Sequence, residues 1–376
     1  VVVLVAASVL RGLYHLYQGF GAGLGNVVMG LVFGWCYRRW GRVMPLVIAH
    51  TLIDVVAPFM ATFTDADPSP EGIAAILAAH RRFGTTRLLP TLITARPDVT
   101  RRAIAAGREA ARLGVPGFVG LHLEGPHLSV ARKGAHDQAL IRPMDEDDCR
   151  ELIGARETLP TLLTTVAPES APLEAIRRLA AGGVVVSLGH TDADARTCRA
   201  AFAAGATMTT HLFNAMSQLA NREPGLVGAT LEDGHFAGLI ADGIHVEATT
   251  MRLALRAQRR AGRLLLVTDA MSTIGTALDR FTLDGRTILR RDGALRLADG
   301  TLAGADLTMI DAVLYAHRAL DVEFEEALRM ASLYPARAIG RDDRLGHLQP
   351  GAEASFLHLG DDAAIEGVWI AGKRVA

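Results

Sequence analysis

The sequence predicts a (β/α)8 barrel that lacks its first strand, preceded by apolar helices and followed by the strands of a small β-domain. Three observations carry this expectation. Short apolar runs alternate with amphipathic stretches at the spacing of βα units, which implies a parallel sheet. Each run ends in a polar residue: Thr94, Glu124, Glu169, His190, His211, Asp242 with His245, and Asp269. Barrels of this kind carry their chemistry at the C-terminal ends of the strands, whereas a doubly wound sheet gathers it at one switch point. Finally, the chain changes character near Met60, from an apolar segment to a polar, acidic one containing Pro68 and Pro70.

The first sixty residues read as membrane-like. They hold one acid, Asp54, against four bases, Arg11, Arg38, Arg39 and Arg42, and they carry Trp35, Trp40, Tyr14, Tyr17 and Tyr37. Gly19–Tyr37 has no charge, and Val43–Met60 is interrupted only by His50 and Asp54. Each is long enough to cross a hydrocarbon core of about 30 Å as a helix. Aromatics beside a basic loop fit a membrane boundary, and Arg38, Arg39 and Arg42 place that loop in the cytoplasm. No short apolar core with a small-residue cleavage site marks a signal peptide. The chain begins at Val1 rather than Met, so a preceding segment is expected. His15, His50 and Asp54 are costly inside such spans, and His50 and Asp54 share one helix face. They serve either as interhelical hydrogen-bonding groups or as metal ligands. RGLYHLYQGF and MPLVIAHTLIDVV resemble the later motifs of CAAX-protease-like intramembrane metalloproteases, over residues 1 to about 58. The glutamate pair that such enzymes need upstream is absent from this stretch.

The barrel elements follow in order. Pro70–Phe83 is an amphipathic helix with Pro at its start and Gly84 after its end. Seven strand candidates come next: RLLPTLIT, GFVGLHLEGP, TLLTTVAPE, GVVVSLGHT, ATMTTHLFNAM, FAGLIADGIHV and RLLLVTDAM. Helical stretches such as Pro172–Ala181 and Ala193–Ala204 separate them. One strand is missing from the eight, and its place before Pro70 is taken by a run that reads as a membrane helix. The expected divisions are 1–60, apolar helices; 61–343, the incomplete barrel; and 344–376, strands of the small β-domain. An open barrel exposes two strand edges, so residues 61–376 alone are expected to be unstable.

Composition narrows the function. The net charge is −1 and the pI about 7.0, which argues against a nucleic-acid binder driven by phosphate neutralisation. Cys36, Cys149 and Cys198 are too few and too scattered for a disulfide framework or a cysteine zinc site. Glu124, His190 and His211, from three strand ends, make the His₂Glu set of a catalytic zinc site with one open position. Asp269, at the last strand end, is placed to take a proton from the activated water. Singly, each residue has a plainer reading: a hydrogen-bonding histidine or a buried salt-bridge carboxylate. Four such residues at successive strand ends favour a metal hydrolase. His80, His235, His317, His347 and His358 read as surface or structural.

HLEGPHLSVARKGAH, SLGHTDA, THLFNAM, NREPGLVG, IADGIHV, LVTDAM, GTLAGADLTM and LYPARAIG closely resemble the N-acetylglucosamine-6-phosphate deacetylase family of the amidohydrolase superfamily, from about Thr62 to Ala376. The resemblance implies hydrolysis of the acetamide of N-acetylglucosamine 6-phosphate to glucosamine 6-phosphate and acetate. Glu124, His190 and His211 match its metal ligands and Asp269 its catalytic acid/base. Ala135, His136, Asn214 and Ala215 match substrate-contacting positions. Arg222 and His245 match the grip on the 6-phosphate, with the arginine reaching across a homodimer interface; Leu302, Ala303 and Gly304 match the loop that closes over the substrate. The implied cofactor is a divalent metal, zinc, with one ion or two left open, and the implied site of the barrel is the cytoplasm, with a possible tether to the membrane through residues 1–60. The His-x-His of the family's first barrel strand and the early strands of its small β-domain have no counterpart, so Arg344–Ala376 is expected to lack strand partners. The alternatives are a membrane protein with an inactive barrel remnant, or a join of two unrelated pieces near Met60.

Overall fold

A computed structural model of the chain describes residues 68–283 and 285–376, and the backbone of residues 56–58. Its framework is a curled parallel sheet whose strands follow one another in chain order. The strands are β3 (Thr91–Ile93), β4 (Leu121–Glu124), β5 (Leu162–Val166), β6 (Val185–Leu188), β7 (Met208–Thr209), β8 (Phe236–Ile240) and β9 (Leu264–Val267). Seven helices alternate with them: α1 (Pro70–Arg81), α2 (Pro97–Arg112), α3 (Glu146–Arg156), α4 (Leu173–Ala181), α5 (Ala195–Ala204), α6 (Gly225–Asp233) and α7 (Ala248–Ala257). Three more, α8 (Met309–Ala319), α9 (Phe324–Ala331) and α10 (Leu333–Ala338), pack around β9.

Local chemistry sets these boundaries. Ser69 caps α1 by accepting a hydrogen bond from Gly72 N at 3.1 Å, with Pro70 in the first turn, where its missing N–H costs nothing. Asp145 and Asp148 form a reciprocal capping box on α3, and Asp194 caps α5. The strand residues are buried almost without exception, because helices cover one face and the barrel interior fills the other. The core runs from Ile73 and Leu88 through Leu163, Val186 and Leu239 to Leu266 and Leu328.

The first strand is a correction to the sequence reading. Val43–Met60 was expected to be a membrane helix, with no first strand left in the chain. Val56–Pro58 is instead a strand, β1, paired in parallel with β2 (Arg87–Leu89) in the register Val56↔Arg87, Ala57↔Leu88, Pro58↔Leu89. β1 also comes alongside β9, at the other end of the curled sheet, and alongside α10. It therefore stands where the eighth staff of the barrel belongs. A buried parallel strand is a near-continuous apolar run, which hydropathy alone does not separate from a helix. The rest of the two apolar runs, with His15, His50 and Asp54, lies outside the described residues. Among the described residues no helix is long and apolar enough to cross a membrane.

RLLPTLIT also differs from expectation. It divides at Pro90, which has no N–H to give a ladder: β2 faces β1 and β3 faces β4. An antiparallel sheet absent from the sequence reading follows β9: β10 (Arg280–Leu283), β11 (Arg286–Arg291), β12 (Ala294–Arg296) and β13 (Leu302–Ala305). The C-terminal strands, expected without partners, pair with one another as β14 (Phe356–Leu359), β15 (Ile365–Ile370) and β16 (Lys373–Arg374). They dock on the barrel through Arg87, which ion-pairs with Glu353 and donates to Ser355 Oγ at 2.9 Å. Gly84 leaves room for them: a Cβ there would lie 2.8 Å from Leu357 and 3.2 Å from Ile365. His80, expected at the surface or in a structural role, is buried in α1.

Removing residues 1–60 deletes β1 and leaves β2 paired on one side only, through the parallel Leu88–Phe118 bridge. Each buried backbone group left without a hydrogen bond costs about 1–3 kcal/mol, and in a domain of this size about 1 kcal/mol moves Tm by roughly 2–4 °C. Residues 61–376 alone are expected to aggregate or to melt at least about 5 °C below the full chain in scanning calorimetry; an equal Tm would show that β1 does not support the barrel.

Candidate active site

Glu124 is the last residue of β4, while His190, His211 and Asp269 each stand two residues beyond β6, β7 and β9. All three post-strand residues have a left-handed backbone, with φ of 47°, 25° and 51°. Non-glycine residues rarely adopt it, and it collects at functional sites because the surrounding fold enforces it. Here the sharp exit turns bring side chains from separate strands to one point.

At that point His190 Nε2 and His211 Nε2 each lie 3.1 Å from Glu124 Oε1 and 3.1 Å from one another. His190 Nδ1 is 2.8 Å from the Arg132 carbonyl oxygen, an acceptor only, so Nδ1 carries the proton and Nε2 offers a lone pair. Glu124 Oε2 and His211 Nδ1 are buried without a partner. Ligand atoms bound at about 2.0–2.2 Å to one small cation stand roughly 3 Å apart. The donor types, their spacing and the unsatisfied carboxylate oxygen all fit a divalent cation held by Glu124, His190 and His211. Below them the barrel interior is polar. His122 Nδ1 meets Thr91 Oγ1 at 3.0 Å and His122 Nε2 meets Thr165 Oγ1 at 2.8 Å. Thr165 in turn meets Thr210, which meets Ser187.

The same contacts set the protonation states. Burial alone would raise Glu124, but the close approach of His190 and His211 holds it well below the carboxylate range. Burial alone would lower His211, yet the hydrogen bond and charge of Glu124, then the charge of Asp269, push it up to about 8 in the metal-free chain. Asp269 is raised by its burial, with Glu124 adding and His211 opposing, and its Oδ1 has no partner. His136 is lowered to about 3, first by burial, and is neutral at pH 7. Its Nδ1 lies 2.8 Å from Thr94 Oγ1, a hydroxyl able to donate to it, and 3.4 Å from the Thr94 amide, which can only donate. The proton therefore sits on Nε2, 4.0 Å from Glu124 Oε2, where His136 can donate into the site.

A cavity of about 530 Å³ opens over this cluster. His136, His190, His211 and Asp269 line its inner end. Ala135, Asn214, Ala215 and His245 form the walls, and Leu302, Ala303 and Gly304 of β13 close it from above. His245 Nδ1 lies 2.6 Å from Asp242 Oδ2, and His245 Nε2 is buried and unpartnered. Asp242 also accepts from the Ile244 and His245 amides, which holds this turn in place. Asn214 Nδ2 donates to the His211 and Leu212 carbonyls and braces the His211 turn. Arg222 is the expected site residue that a single chain does not bring in: it is exposed and outside the cavity. Glu169, another strand-end residue, accepts from Thr191 and the Asp192 amide and supports the loop after β6. Sequence reasoning missed the four-stranded insert. Gly304 has φ 83°, and a Cβ there would fall 3.0 Å from the Asp269 carbonyl oxygen, which accepts from Ala305 N at 2.7 Å. Arg286 Nη2 on β11 donates to the Ala135 carbonyl at 2.6 Å and ties the insert to the loop bearing His136. The tie from Arg286 to Ala135 spans 151 positions, which no local pattern announces.

The amidohydrolase family model matches residues 44–375. The chain belongs to the amidohydrolase family. It is 42% identical over 307 residues to an N-acetylgalactosamine-6-phosphate deacetylase of Shewanella sp. (strain ANA-3), covering 81% of this chain and 77% of the relative. It is 34% identical over 308 residues to an N-acetylglucosamine-6-phosphate deacetylase of Haemophilus influenzae, covering 81% and 80%. A crystal structure of N-acetylglucosamine-6-phosphate deacetylase from Pasteurella multocida superposes with a TM-score of 0.81 at 32% identity, over 87% of this chain and 85% of that one. An aspartate-to-alanine mutant of the Mycobacterium smegmatis enzyme, in complex with N-acetyl-D-glucosamine-6-phosphate, superposes with a TM-score of 0.80 at 33% identity, over 86% of each chain. A second family model, type II CAAX prenyl endopeptidase Rce1-like, matches residues 1–56. It overlaps the amidohydrolase match from residue 44 to 56. This amidohydrolase thus has its family match beginning ahead of β1, in agreement with β1 as part of the barrel.

Metal binding must displace the proton that Glu124 holds on His211 in the metal-free chain. Below about 8 that proton competes with the ion and above it does not. Zinc affinity is therefore expected to rise with pH up to about 8 and then level off. Calorimetry at pH 7 in buffers of different ionisation enthalpy should show about one proton released per ion, and none if the site is not a metal site.

Proposed function

We propose that this amidohydrolase uses zinc to hydrolyse the acetamide of N-acetylglucosamine 6-phosphate, giving glucosamine 6-phosphate and acetate. The observation that carries the reading is Asp269, buried, raised and unpartnered, beside the convergent Glu124, His190 and His211 in one cavity. A divalent cation bound there supplies Lewis-acid polarisation and lowers the pKa of a water to about 7. Asp269 accepts the proton of the attacking water. As the carbon–nitrogen bond breaks, it returns that proton to the departing amine, which leaves acetate and the free amino sugar. His136, neutral with its proton on Nε2, donates a hydrogen bond to the acetamide oxygen as charge develops there. Asn214, Ala215 and the Leu302–Gly304 strand hold the sugar ring, and His245 faces the 6-phosphate. Arg222, exposed on its loop, is assigned to the phosphate of a neighbouring subunit's site in a homodimer. The barrel is assigned to the cytoplasm.

The 42% identical relative named for N-acetylgalactosamine 6-phosphate favours a second reading, in which the 4-epimer is the substrate. It changes the ring contacts and leaves the chemistry untouched.

Purified full-length protein with zinc is expected to release acetate from N-acetylglucosamine 6-phosphate. Asp269→Asn should lower kcat by about 10²–10⁴-fold while bound zinc stays at the wild-type level; a fully active variant would refute the role of Asp269. Comparing kcat/KM for the two epimers decides between the sugars, and a higher value for the galacto epimer selects the second reading.

A further inference from the structure

We infer that Arg296 binds the substrate phosphate, as a guanidinium that this chain contributes to its own cavity. The inference rests on the proposed hexosamine 6-phosphate substrate and adds to it a residue that fixes specificity for the phosphate.

The argument begins with charge. A 6-phosphate carries close to two negative charges at neutral pH and needs directional cationic donors. His245 offers one unpartnered, buried Nε2. Arg222 lies outside the cavity of its own chain, and in the proposed homodimer a neighbouring subunit's copy would supply one guanidinium from across the interface. Two guanidinium groups of this chain line it, Arg132 and Arg296. Arg132 is engaged, with its Nε 2.8 Å from Asp192 Oδ1. Arg296 donates from Nη1 to the Gly300 carbonyl at 3.0 Å, and among the described residues no carboxylate pairs with it. Arg296 is exposed, so its charge is open to a ligand that enters the cavity it lines.

The backbone places it for that task. Arg296 ends β12 and is the register partner of Leu302 on β13, a cavity-wall residue. The β12–β13 register shifts between Ala294 and Arg296, because Ala294 faces Ala305 while Arg296 faces Leu302. The extra residue lies on β13, which bends there and brings Leu302 rather than Ala303 opposite Arg296. The turn that follows, with Gly300 and Thr301, also lines the cavity, and the Gly300 carbonyl steadies the guanidinium there. Ala305, at the end of β13, is bonded to the Asp269 carbonyl. One small sheet thus braces Asp269 and presents to the same cavity a guanidinium with no carboxylate partner among the described residues. A planar fork matches phosphate oxygens in a way that a lysine ammonium does not.

The test is Arg296→Met in the full-length, zinc-loaded protein, with Arg296→Lys as a second variant. Steady-state rates are measured on N-acetylglucosamine 6-phosphate and on unphosphorylated N-acetylglucosamine, and binding of glucosamine 6-phosphate is followed by calorimetry. For Arg296→Met, the ratio of kcat/KM for the phosphorylated to the unphosphorylated sugar is expected to fall tenfold or more, carried by KM. Affinity for glucosamine 6-phosphate should weaken by a similar factor, and Arg296→Lys should recover part of both. An unchanged ratio, or a loss in kcat shared equally by the two sugars, overturns the inference. If the wild type binds glucosamine 6-phosphate but releases no acetate, the proposed activity fails while the calorimetric comparison still decides the role of Arg296.

Discussion

Two imidazole Nε2 atoms and a carboxylate oxygen are held 3.1 Å from one another in a buried place. Without a cation or a proton between them this cluster would be among the costliest arrangements in the molecule. Much of the surrounding structure exists to hold it. The carbonyl of Arg132 locks the tautomer of His190. Left-handed turns after β6, β7 and β9 aim His190, His211 and Asp269 inward. The ring of threonines around His122 fills the barrel beneath with satisfied polar groups, so no side chain there competes for the ligands. Elevation of Asp269 by burial and by the charge of Glu124 follows from the same crowding, and it suits a group that must take up and release a proton.

The cavity over this centre is built from the loops after the barrel strands together with a sheet that follows β9. The four-stranded insert after β9 supplies the cover, hydrogen-bonds the backbone of Asp269 and grips the loop of His136 through Arg286. A change in this insert would therefore be felt at Asp269 and at the loop of His136 together. Gly304 shows how close the two layers come, since any side chain there would collide with Met271 and the Asp269 carbonyl.

The junction near Met60 has a physical account in the strand Val56–Pro58. An apolar run serves equally as a membrane-crossing helix or as a strand buried on both faces, because both solvents are oily. What decides between them is a partner. Arg87–Leu89, cut off from β3 by Pro90, presents a free parallel edge, and Val56–Pro58 occupies it. The C-terminal strands likewise find a dock on the barrel through Arg87 and Gly84.

The sequence by itself determined the βα alternation, the polar residue closing each strand, and the candidate ligand set of Glu124, His190 and His211, with Asp269 at the last strand end. These are local signals: hydrophobic period, turn residues, and donor chemistry at fixed places along the chain. Tertiary structure alone decided which apolar segment closes the curled sheet, that Pro90 splits one expected strand into two, and that residues 280–305 fold over the site as a sheet. It also decided that Arg296, and not Arg222, faces the cavity of its own chain. Each of these depends on a pairing or a charge balance between residues far apart in sequence, and one-dimensional periodicity carries no information about such partners.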